Sequence, residues 1–86
     1  MEIIFTQNAQ THLLFWKMSG NKNIMQKIEN LLSSIKLNAY EGIGKPEALK
    51  YELAGFWSRR IDNEHRLIYH MIDEETIEII SLRFHY

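Results

Sequence analysis

The sequence predicts an α+β domain in which a small antiparallel β-sheet, in the order β-α-α-β-β-β, carries an antiparallel pair of helices on one face. Three observations predict it. Ile24, Ile28, Leu31, Leu32 and Ile35 recur at the spacing of one helical face, whereas from Gly55 onward the chain turns β-prone. The runs 56–61, 66–72 and 76–84 are separated by the turn signals Asp62-Asn63-Glu64 and Asp73-Glu74-Glu75. The apolar stripe of the second helix and the positions Leu67, Tyr69 and Ile79 would stay wet unless helices cover one face of the sheet.

Residues 2–6 form a short β-prone run, and Thr6 or Asn8 can cap the helix that follows by accepting a hydrogen bond from an unpaired backbone N–H. That helix should extend to about Met18, where Ser19-Gly20-Asn21 ends it. A second helix is expected from about Asn21 to Lys36, and so short a break makes the two antiparallel neighbours. Between residues 37 and 54 the periodicity fails. Two glycines and the only proline mark 40–47 as loop, with a short strand or turn at 48–53. The last three runs should form an antiparallel meander.

The 86 residues suffice for one domain, 1–86, which buries roughly two thirds of the surface of its unfolded chain. With 45% hydrophobic and 12% aromatic residues the composition is that of a packed domain, so disorder is excluded. No cysteine is present, which excludes disulfides, thiolate zinc sites and a thiol nucleophile. The first residues lack a basic, apolar leader pattern, and no apolar run is long enough to span a bilayer, so a cytoplasmic location with no membrane association is expected.

A net charge of −1 is unusual for a protein that finds RNA unaided, because phosphate contacts displace counterions and call for a positive excess. Its distribution is uneven. Lys45, Lys50, Arg59, Arg60, Arg66 and Arg83 fall in the second half, while Asp73, Glu74, Glu75 and Glu78 crowd one segment. A basic surface beside an acidic corner and an ordinary mixed-charge surface are both compatible with this.

Several chemistries are absent. Gly42-Ile43-Gly44-Lys45 lacks the Walker spacing and the Ser or Thr after its lysine, so it is not a phosphate loop. His65 and His70 are an odd number of strand positions apart and face opposite sides, in packing or surface roles; His12 has no sequence partner and reads as bland. No metal ligand set and no cofactor are expected. What remains suits RNA cleavage: a base frees the ribose 2′-hydroxyl to attack the adjacent phosphate, a cation stabilises the growing charge, and an acid protonates the departing 5′-oxygen. Glu47 is the candidate base, Arg66 the stabiliser because its fork matches two phosphate oxygens, and His85 the acid because imidazole titrates near working pH. Tyr86 could stack on a base. Strand parity puts Arg83 and His85 on one face, which Arg66 shares if residue 66 pairs with 83; a slip of one residue would separate them.

Gly42-Ile43-Gly44-Lys45-Pro46-Glu47, Leu49-Lys50, Gly55-Phe56-Trp57-Ser58-Arg59-Arg60-Ile61, Glu64-His65-Arg66-Leu67-Ile68-Tyr69 and His85-Tyr86 follow one another in order. Together they closely resemble the motifs of the YoeB toxins of the RelE superfamily. The resemblance implies a toxin of a type II toxin–antitoxin pair, a ribosome-dependent endoribonuclease that cuts mRNA in the A site of the 70S ribosome. It implies Glu47 as general base, His85 as general acid and Arg66 as transition-state stabiliser, with Lys50 and Arg60 as supporting cations and Tyr86 on the substrate base. It also implies a homodimer and a YefM-type antitoxin as partner. Ala48 stands where many relatives carry a second proline, and Asn38-Ala39-Tyr40 replaces a proline-containing approach. Two other readings are a ParE-like gyrase poison and an inactive paralogue that binds antitoxin and acts only in transcriptional autoregulation. A gyrase poison has no use for an acid–base pair.

Overall fold

The computed structural model describes residues 1–84; His85 and Tyr86 lie outside the described residues. Strand β1 (Glu2–Phe5) leads into α1 (Gln7–Ser19) and α2 (Lys22–Leu37). A two-residue strand β2 (Glu47–Ala48), a 3-10 turn (Tyr51–Leu53), β3 (Trp57–Arg60), β4 (Arg66–Asp73) and β5 (Thr76–Ser81) follow. The expected α+β arrangement is present, with both helices on one face of the sheet.

The caps explain the helix bounds. Thr6 accepts from the Ala9 N–H, and Asn21 accepts from the Ile24 N–H. Between them Gly20 adopts φ 72°, a left-handed conformation that ends α1. Asn8 lies inside α1, and its side chain donates to the Ile80 carbonyl instead of capping. Ile24, Ile28, Leu31 and Ile35 of α2 are buried, as are Ala9, His12 and Trp16 of α1. They meet Leu67, Tyr69, Ile77 and Ile79 from the sheet, with no more than 1% of any of these four exposed.

The sheet has five strands in the order β1-β5-β4-β3-β2. β3, β4 and β5 form the expected antiparallel meander, but β1 pairs parallel with β5 and makes the sheet mixed. The two helices between β1 and the rest of the sheet allow it: they return the chain across one face, so β1 reaches the far edge without a hairpin. A second departure is the end of β5. Its ladder stops at Ser81, three residues short of the expected strand end, because the N–H groups of Leu82 and Phe84 bond to imidazoles and not to a strand. Among the described residues no helix is long and apolar enough to cross a membrane.

Candidate active site

On an antiparallel pair, residues directly opposite share a face, and neighbours along a strand alternate. Leu67 and Tyr69 of β4 point into the helix-covered core, so Arg66 and Ile68 point to the other face. Arg60 is opposite Arg66, Ser58 opposite Ile68, and Glu47 opposite Ser58. Glu47, Arg60 and Arg66 therefore share the face that carries no helix. From ordinary strand spacings the Glu47 and Arg66 backbones are about 12 Å apart across two strands, a gap that their side chains can span with a ribose–phosphate between them.

Two guanidiniums directly opposite one another repel, at a cost of a few tenths to about 1 kcal/mol. Among the described residues the only ion pair is His70 with Glu78, at 2.8 Å, and none of their carboxylates pairs with Arg60 or Arg66. The resulting positive field suits an anion. Beside it, the Ser58 Oγ is buried and has no hydrogen-bond partner among the described residues. Glu47 and Lys50 are exposed, Lys50 at the start of the 3-10 turn.

The delivery of Glu47 depends on a residue that the sequence placed in the basic surface. Arg59 is 0% exposed and points to the helix side. Its Nε donates to the Tyr69 hydroxyl at 3.0 Å, one terminal nitrogen to Ser34 Oγ (2.7 Å) and the Ile43 carbonyl (3.1 Å), and the other to the carbonyls of Asn38 (2.7 Å) and Glu41 (3.1 Å). Every guanidinium N–H is used, and none goes to a carboxylate. Tyr69 in turn donates to the Ala39 carbonyl at 2.6 Å, and burial raises its pKa above the usual 10.0. Arg59 thus ties the loop ahead of Glu47 to the sheet. The clue lay in the pair Arg59-Arg60: adjacent strand residues face opposite ways, so only one could lie on the open face.

The same loop passes close under its anchors. Gly44, at φ 82°, accepts the Arg60 N–H at 2.6 Å, and a Cβ built there would lie 2.5 Å from Leu31 and 3.3 Å from the Arg60 carbonyl. Gly44→Ala is therefore expected to cost about 1–3 kcal/mol, from crowding and from the left-handed backbone, read as a lower denaturant midpoint.

Arg83 is not the ladder partner of Arg66. Its guanidinium lies 3.5 Å from the centre of the Phe15 ring of α1. With β5 ended at Ser81, alternation no longer governs it, and the Arg66 N–H bonds to the Phe84 carbonyl at 2.8 Å and not to residue 83. His85 and Tyr86 lie outside the described residues, so the catalytic acid and the base-stacking residue expected there are not placed.

The other histidines divide. His65 packs edge-on to Trp16 at 4.9 Å and His70 stacks on Phe56 at 4.5 Å, the packing roles expected, but His65 Nδ1 also accepts the Phe84 N–H. His12 is not bland: it is 8% exposed, and its Nδ1 accepts the Leu82 N–H at 3.0 Å, a partner 70 positions away that no local pattern signals. Burial first, then the charges of Arg83 and His65, lower its pKa below the usual 6.5. The fold favours neutral His12, so its stabilising contribution is complete above pH 6.5 and is lost as pH falls through the lowered folded-state value. The denaturant midpoint should drop on acidification, and His12→Asn should flatten that part of the pH dependence.

Comparison with known proteins gives a consistent answer. The model of the family described as YoeB-like toxin of bacterial type II toxin-antitoxin system matches residues 5–86. The chain is 44% identical over 86 residues to Toxin YoeB of Synechocystis, covering 100% of this chain and 98% of that one. The structure of a YoeB/ParE toxin from Agrobacterium tumefaciens superposes with a TM-score of 0.94 at 37% identity, over 100% of both chains. A YoeB dimer and a YoeB-YefM complex from Staphylococcus aureus superpose at TM-scores of 0.89 and 0.88, each 44% identical and covering 100% of this chain and 98% of that one. With a match running through both halves of the fold, helices included, the chain belongs to the YoeB-like toxin family of bacterial type II toxin-antitoxin systems.

Proposed function

We propose that residues 1–86 act as a single toxin domain that cleaves mRNA in the A site of the ribosome, as a ribosome-dependent endoribonuclease of the cytoplasm. The observation that carries this reading is the Arg60–Arg66 pair, which has no carboxylate partner among the described residues, on the same sheet face as Glu47. Glu47 removes the 2′-hydroxyl proton, and the oxygen attacks the neighbouring phosphorus. Arg66 stabilises the equatorial oxygens with its fork, while Arg60 and Lys50 hold the flanking phosphates. His85 returns a proton to the leaving 5′-oxygen, and Tyr86 stacks on the substrate base. The products are a 2′,3′-cyclic phosphate and a free 5′-hydroxyl, and no bound metal takes part.

The net charge of −1 supports dependence on the ribosome, because this chain has little long-range attraction for RNA of its own. Relatives 44% identical occur as a YoeB dimer and in a YoeB-YefM complex, which supports a homodimer and a YefM-type antitoxin for this chain. A reconstituted translation reaction with purified ribosomes and a defined mRNA tests the proposal. The expected result is a cut within the A-site codon and weak cleavage of the same RNA without ribosomes. Absence of any cut would return the chain to the binding-only readings, and abundant cleavage of naked RNA would remove the ribosome from the mechanism.

A further inference from the structure

The backbone that leads to His85 is held by two imidazoles from different parts of the fold. Past Ser81 the chain leaves the β5 ladder, and the Leu82 N–H donates to His12 Nδ1 of α1 at 3.0 Å. Two residues later the Phe84 N–H donates to His65 Nδ1, in the β3–β4 turn, at 2.8 Å. The Leu82 carbonyl accepts from Trp16 Nε1 at 2.9 Å, and the Arg83 carbonyl from Ser81 Oγ at 3.0 Å. Phe84 has φ 65°, a left-handed conformation that a bulky side chain avoids, so the surrounding contacts hold it against its own preference.

We infer that His12 and His65 are positioning residues: as neutral imidazoles protonated on Nε2, they fix residues 82–84, the backbone from which the chain continues to His85 and Tyr86. The inference rests on the cleavage reading above. An imidazole accepts through Nδ1 only while that nitrogen carries no proton, so a second proton on either ring converts an acceptor into a donor facing an N–H. The two rings share their surroundings. Arg83 acts on His12 electrostatically and lines one pocket of about 430 Å³ with His65, Glu64 and Phe84. Trp16 and Phe84 supply the ring edges and faces.

Asparagine can place an oxygen acceptor near the position of Nδ1, whereas leucine fills similar space with none. The test uses the full chain with His65→Leu, His65→Asn, His12→Leu and His12→Asn. Amide exchange at Leu82 and Phe84 should speed about tenfold or more in the leucine variants and return towards the wild-type rate in the asparagine variants. On programmed ribosomes the leucine variants should lose about ten- to a hundredfold in kcat, as a misplaced catalytic group does, with KM changed by no more than about twofold. The asparagine variants should recover most of that loss. Wild-type exchange rates in His65→Leu would overturn the tether, and faster exchange with unchanged kcat would overturn the positioning role. If a leucine variant fails to fold, the matching asparagine variant decides: near-wild-type exchange and kcat support the inference, and loss of both overturns it. If the wild-type chain itself cleaves nothing, the functional reading falls, and the exchange rates still decide the tether.

Discussion

Glu47→Gln is expected to slow A-site cleavage about a hundred- to ten-thousandfold, the range for losing a general base. Glutamine keeps the size and polarity of the side chain but cannot take the 2′-hydroxyl proton. The fold should hardly notice, because Glu47 is exposed and takes part in no ion pair among the described residues, so stability should move by no more than about 0.5 kcal/mol. Single-turnover cleavage on ribosomes, set beside a denaturation curve of the same variant, separates the two effects. A slow variant with a normal curve places the loss in chemistry. An undiminished rate would require another base on this face.

Arg59→Leu should do the reverse and strike stability first. It removes five donors and leaves three loop carbonyls and the hydroxyls of Ser34 and Tyr69 in a poorly hydrated space. Unsatisfied buried groups cost about 1–3 kcal/mol each, and partial relaxation brings the expected total to about 3–5 kcal/mol. That is a large part of the roughly 5–15 kcal/mol that holds a domain folded. Arg59→Lys should recover only part of the loss, because three donors on one nitrogen cannot reach acceptors spread around a planar fork. A fall in urea midpoint at an unchanged slope is the measurement. Cleavage at temperatures where the variant remains folded should fall as well, since the loop that Arg59 ties down leads directly into Glu47.

The parts of this fold that were legible in the sequence are those set by local pattern. Ile24, Ile28, Leu31 and Ile35 announce α2 by their spacing, and Asn21 marks its start with a side chain suited to capping. The meander follows from three β-prone runs and two turns. The direction of β1 was not legible, because four residues with no hairpin carry no information about which neighbour they join or in which sense. The same limit applied to side chains whose partners are remote in sequence. The acceptors of Arg59 lie 10 to 25 positions away, and the donor to His12 lies 70 away, so both residues looked like ordinary surface or filler. Glu47, Arg60 and Arg66 came together on one face because the β2–β3–β4 register aligned them, a register that neither composition nor motif spacing supplies.

An mRNA carrying a single 2′-deoxynucleotide immediately 5′ of the scissile phosphate, programmed into the ribosomal A site, tests the proposed chemistry most directly. If a carboxylate-activated 2′-oxygen is the nucleophile, that message should survive uncut at the modified linkage while the all-ribose control is cleaved to a 2′,3′-cyclic end. Equal cleavage of both messages would contradict the account, because the attacking oxygen would then have to come from elsewhere.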